Sequence, residues 1–236
     1  MRSRILPVIV LLASIVVFGS STQAQDGKKQ GKELRSAVER VDKATTVINE
    51  IMNIADKSIP RDLLSKANAV VVFPGAIKGG FIVGGQGGKG VAIAKAGSGW
   101  SAPAFVNMAG GSVGLQIGGQ AIDYVMLIMN DKGLKGLLED KFEVGGEGSV
   151  AAGPVGRTTA ASTNATMDAE ILTWSRTKGV FAGLSLKGVV ISQDKDMNTA
   201  IYQKSAKEIL GNPPLPASAA PATLQKFPNT VAGYTK

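Results

Sequence analysis

The residues able to do bond-making chemistry are carboxylates. Asp123, Glu139, Asp140, Glu143, Glu147, Asp168 and Glu170 are spread through the middle and second half of the sequence. Two such groups facing each other across a cleft would hydrolyse a glycosidic bond, one as the acid and the other as nucleophile or base. Asp123 stands out because its neighbours, Ile122 and Tyr124-Val125, are largely apolar. Arg157 follows Gly153-Pro154-Val155-Gly156, where it would clamp an anion or brace Asp123. Spacing alone sets no two carboxylates face to face, and solvated or turn-capping side chains are the competing reading. The sequence has no His and no Cys. Ser-His-Asp and Cys-His nucleophile systems, histidine metal sites and disulfides are therefore excluded. No catalytic residue, metal ligand or cofactor is assigned.

A second chemistry is anion binding. Gly84-Gly85-Gln86-Gly87-Gly88-Lys89-Gly90 loosely resembles a phosphate cradle. However, Gly90 stands where a P-loop needs a hydroxyl, and no helix is predicted to follow. Turn geometry is the better account of these glycines. Lys78, Lys89 and Lys178, each followed by glycine, remain anion-binding candidates together with Arg157.

Positioning these side chains falls to a β-rich middle. Glycine alternating with Phe, Ile and Val predicts short bent strands joined by tight turns. Strands are expected at 69–73, stopped by Pro74-Gly75, then at 81–83 and 91–95 with 84–90 as a turn. Further strands are expected at 100–108, 113–117, 122–129, 142–144, 149–152, 169–175, 180–186 and 189–193. Apolar residues at Leu34, Ala37, Val38, Val41, Ile48 and Met52 recur every three or four positions, predicting an amphipathic helix over 32–57. Pro60 starts a short helix at 61–66, and a helix is expected near 132–140. Asp194 caps a last helix reaching about residue 210. The expected fold class is α+β: a glycine-rich antiparallel β core, sandwich or partly closed barrel, flanked by N- and C-terminal helices.

Arg2 and Arg4, the apolar run 5–18 and Thr22-Gln23-Ala24 read as a secretory signal. The predicted organisation is a leader at 1–24, a flexible stretch at 25–33, a domain at 34–210 and an extended Pro/Ala-rich tail at 211–236. The chain is expected to be exported, to a periplasmic or extracellular space. The formal charge is +8 and the hydrophobic content 44%, enough for a core without disulfides. The cationic excess favours anionic surfaces. Only 5% of residues are aromatic, which argues against nucleic acid. Lys28, Lys29, Lys32, Arg35, Arg40 and Lys43 line the first helix beside its apolar stripe, as in an interfacial helix. A helix docking that stripe on the sheet is the alternative.

Ile59-Pro60 with 67–74, the glycine block ending at Val91, Gly99-Trp100-Ser101-Ala102-Pro103, Gly114-Leu115-Gln116-Ile117-Gly118, 152–157 and the block 174–186 resemble the SYLF domain in order. The likeness spans about residues 34 to 203. It implies a lipid-binding module that uses a basic N-terminal segment, a role transferring to Lys28, Lys29, Lys32 and Arg35. Some members act on actin assembly beside an SH3 domain. With no SH3 segment and an export signal, this sequence makes actin a doubtful partner and anionic lipid the expected one. The resulting expectation is non-enzymatic binding of anionic lipid at an envelope surface. The alternatives are a carboxylate-based hydrolase of envelope polysaccharide and a structural or protein-interaction domain, with an unknown partner for the tail.

Overall fold

The computed structural model describes residues 20–54, 58–145, 150–154, 169–177, 180–183, 186 and 188–235, with backbone alone at 20–29, 80–83, 112–118 and 180–183. Glycine and β-branched residues here build one long ribbon. Strand β1 (Ala69–Ala96) pairs antiparallel with β3 (Ala104–Ile128), from Ala69 opposite Ile128 to Ala92 opposite Ala104. The short β2 (Gly99–Trp100) closes the hairpin. The expected break at Pro74-Gly75 is a register shift inside β1, with Gly75 at φ +61°. Residues 84–90, expected as a turn, are strand, paired with 106–112.

The ribbon doubles over on itself. A methyl group built on Gly90 would stand 2.5 Å from Phe73 Cδ1 and 2.7 Å from the Val72 carbonyl oxygen. Only glycine lets the second half of β1 lie that close against the first. Each half is then extended by other strands. The C-terminal half of β3 pairs with β6 (Ile171–Thr177), which takes β7 (Val180–Gly183) antiparallel and β5 (Val150–Ala152) parallel. The N-terminal half of β3 pairs with β8 (Val189–Gln193), and β8 with β4 (Lys141–Val144). The result is a strongly curled, mainly antiparallel sheet, a half-barrel between helices, as the sequence predicts.

Helix α1 (Ser20–Met52) turns Ala37, Val41, Ala44, Ile48 and Ile51 into the core, each fully buried. Its apolar stripe is consumed by the protein itself, so the docking-helix alternative holds over 37–52. Helix α2 (Arg61–Lys66) leads into β1, and α3 (Asp131–Leu137) follows β3. Asp194 caps α4 (Lys195–Tyr202), accepting from the Met197 N–H at 3.3 Å. Asn198 of α4 exchanges two hydrogen bonds with the Phe105 backbone, at 2.8 and 2.9 Å, as a strand neighbour would. The expected last helix breaks at Gln203 (φ 53°), and α5 (Ala206–Leu210) restarts with a capping box.

The residues after Gly211 are not an extended tail. Two 3-10 turns, Ala217–Ala219 and Ala222–Leu224, lead into α6 (Lys226–Tyr234). Leu224, Phe227 and Val231 are fully buried. Tyr234 Oη donates to Asn49 Oδ1 of α1 at 3.0 Å, and Lys226 pairs with Asp42 at 2.6 Å.

Candidate functional site

Burying one side of α1 fixes what the other side shows. Lys32, Arg35, Glu39, Lys43, Thr46 and Glu50 form its exposed row, spaced three or four apart. Where this row meets the bulge of β1 a groove of about 330 Å³ opens. Ser36, Glu39, Arg40 and Lys43 line it from the helix, and Pro74, Gly75, Ile77, Gly87, Gly88 and Lys89 from the strand. Ile77 is 58% exposed, and it is the large apolar side chain left open among the described residues. Lys43 pairs with Glu39 at 2.7 Å on the rim. The groove thus gathers three cations, one carboxylate and an exposed isoleucine.

The bulge is held by the carboxylate that the sequence singled out. Asp123 Oδ1 accepts the Gly75 N–H at 2.7 Å, and Oδ2 accepts Arg176 Nε at 2.6 Å. The same guanidinium reaches Glu50 of α1. Burial pushes the Asp123 carboxyl above its usual range, the Gly75 N–H acts in the opposite direction, and burial pulls the Arg176 guanidinium down. Asp123 is therefore a brace between bulge, helix and β6, and its partner is Arg176. Arg157, expected to brace it or clamp an anion, lies outside the described residues.

The other expected binding residues separate. Arg40 is 5% exposed; its Nη1 donates to Asp194 Oδ2 at 3.0 Å, and its guanidinium lies 5.3 Å from the Phe105 ring centroid. It is a buried wall of the groove, a correction to its place on an exposed basic face. Lys32 and Arg35 are exposed farther along α1, while Lys28 and Lys29 fall where the backbone alone is described. Lys89 is exposed on the groove and Lys78 half-buried beside it, whereas Lys178 lies outside the described residues. Gly84 to Gly90 spend their backbone on the ladder to β3, so they are no phosphate cradle. Ile77 was missed from sequence, although strand alternation puts it on the face opposite the buried Ala76.

A second cavity, of about 450 Å³, lies between α3 and β4. It gathers Glu139, Glu143 and Glu170 of the hydrolase alternative, interleaved with Lys132, Lys135 and Lys141. Lys132 engages Glu170 at 2.7 Å. Asp123, the carboxylate that burial raises, is not among its lining residues. Among the described residues, no three His, Cys, Asp or Glu side chains converge as a metal site.

Comparison with known proteins gives the fold a lineage. Residues 109–232 match the family described as Ysc84: Las17-binding protein actin regulator. That match ends within α6, so the C-terminal segment belongs largely to the matched region. The chain is 31% identical over 187 residues to rat SH3 domain-containing YSC84-like protein 1, covering 75% of this chain and 55% of the relative. It is 32% identical over 201 residues to Protein YSC84 of Saccharomyces cerevisiae, covering 82% and 41%. With yeast LAS seventeen-binding protein 3 it shares 36% identity over 152 residues, 63% and 33%. The chain spans about half the length of the first of these relatives, and less of the yeast proteins. The doubled glycine ribbon and its C-terminal cover are thus this chain's version of a shared domain, and the chain belongs to the Ysc84 family, the family of the SYLF domain.

Proposed function

We propose that this chain is an exported, non-enzymatic binding module that attaches to anionic lipid at an envelope surface. The observation carrying the proposal is the company of Ile77, a 58% exposed side chain sharing one groove with Lys43 and Lys89. Lys32 and Arg35 extend the positive row along α1. The apolar stripe of α1 over 37–52 is spent on the core, so shallow insertion falls to Ile77 and attraction to the basic side chains. Each Lys or Arg near an anionic surface contributes about 1 kcal/mol. The test is co-sedimentation with phosphatidylglycerol and phosphatidylcholine vesicles. Binding to the first alone, weakened by salt, is expected. Removing Lys32 and Arg35 together should weaken it roughly thirtyfold, and Ile77→Ser about tenfold. Equal or absent binding to both vesicles refutes the proposal.

A protein-interaction role is the second reading, favoured by the family's description as a Las17-binding actin regulator. The comparisons lend no support to the doubt about actin. Co-sedimentation of the purified chain with filamentous actin separates the two readings: a chain that pellets with filaments and ignores anionic vesicles works through protein.

A further inference from the structure

Arg40 carries an unmet demand. Its Nη1 is satisfied by Asp194 and its plane lies over Phe105, which together fix the guanidinium in place. Its Nη2, shielded from solvent, has no hydrogen-bond partner. A buried donor left unmade is costly, and the cost is more severe for a charged group. Arg40 is also a wall of the α1–β1 groove, where Lys43 and Lys89 stand on opposite sides, one from the helix and one from the strand. A held guanidinium with an unpartnered Nη2 matches the oxygens of a tetrahedral anion, and flanking ammonium groups supply the remaining charge.

We propose that this groove is a binding site for one phosphate-type oxyanion, which pairs with Arg40 Nη2 once a local rearrangement uncovers it, while Lys43 and Lys89 close on the anion from the two sides. The Glu39–Lys43 pair on the rim is exposed on both partners, 66% and 62%, and such pairs open readily. The anion therefore enters by displacing Glu39 from Lys43. The proposal rests on the anionic-surface reading only for the source of the phosphate, a lipid headgroup rather than a free ion.

The experiment titrates the whole chain with inorganic phosphate and, separately, with phosphatidylglycerol vesicles. Nitrogen-15 spectra of the guanidinium groups and calorimetry supply the readouts. Saturable phosphate binding that shifts the Arg40 signal is expected. Removal of Lys43 and Lys89 together, both on the surface, should weaken phosphate binding at least about tenfold. Glu39→Gln should tighten it severalfold by freeing Lys43. The variant lacking Lys32 and Arg35 loses the same charge outside the groove and should keep phosphate binding. Phosphate that binds without moving the Arg40 signal, or equally well in both double variants, overturns the site. Failure to bind phosphate at all does the same, even if vesicles still bind and the surface reading stands. Phosphate binding without vesicle binding upholds the site and makes the free ion its ligand.

Discussion

Arg40 belongs to the basic row of α1 by charge and to the core by contact. The clue was in its spacing: three residues after Ala37 and four before Ala44, it falls on the buried stripe. A basic helix encourages the opposite reading, because a buried guanidinium is rare unless it is paired. What sequence alone cannot supply is Asp194, 154 positions away, which pairs with it at 3.0 Å and also caps α4. The two roles make Asp194 costly to remove. Asp194→Ala leaves a buried charge alone, a loss of about 3 kcal/mol, and opens a helix N-terminus, about 1 kcal/mol more. A urea denaturation midpoint reads the sum. Glu39→Ala, which removes an exposed partner of Lys43, should move it by less than about 0.5 kcal/mol. Equal small losses would mean that the Arg40 pair is as solvent-screened as the surface one.

Among the elements, the glycine ribbon was half legible. Alternation of glycine with Val, Ile and Phe marked extended chain, and β6, β8 and α2 fall close to where local pattern put them. The turn expected at 84–90 is strand because glycine permits sharp bending and close strand packing equally well. Which one occurs is decided by the register with β3, a property of two distant segments. The close approach gives a sharp test. Gly90→Ala puts a methyl group 2.5 Å from Phe73 and should cost about 1–3 kcal/mol. Gly111→Ala on the partner strand meets nothing within 4 Å and should be tolerated. Equal melting temperatures for the two variants would contradict the doubled ribbon. The α5 capping box offers a pH test of another element. The Ser205 N–H and hydroxyl hold the Glu208 carboxyl below its ordinary 4.5. Its folded value lies below its unfolded one, so the box contributes stability above pH 4.5 that is lost as pH falls through the lowered value. The stability gap between the chain and Glu208→Gln should therefore be present at neutral pH and shrink in acid. A gap constant across that range would mean that the carboxylate charge is not what holds the box.

Across the whole molecule, the C-terminal segment decides whether the N-terminal helix has a complete core to lie on. Proline and alanine dominate 213–222, and that composition reads as linker. Leu224, Phe227 and Val231 nevertheless follow at helical spacing, and the fold buries all three. Their burial places α6 against α1, where Tyr234 bonds Asn49 and Lys226 pairs with Asp42. On this arrangement the domain extends past residue 211, and α1, which lines the groove, is held in part by residues 184 and 185 positions away, beyond the reach of a local pattern. Phe227→Ala removes a fully buried ring and should cost about 3–5 kcal/mol. Truncation after Gly211 removes the whole cover and exposes the apolar side of α1, so a broadened, early thermal transition and self-association are expected. If the truncated chain instead melts as cooperatively as the full one and stays monodisperse, residues 212–235 are an ornament on a domain complete without them. The groove would then owe its geometry to the ribbon and to the Asp123–Arg176–Glu50 brace alone.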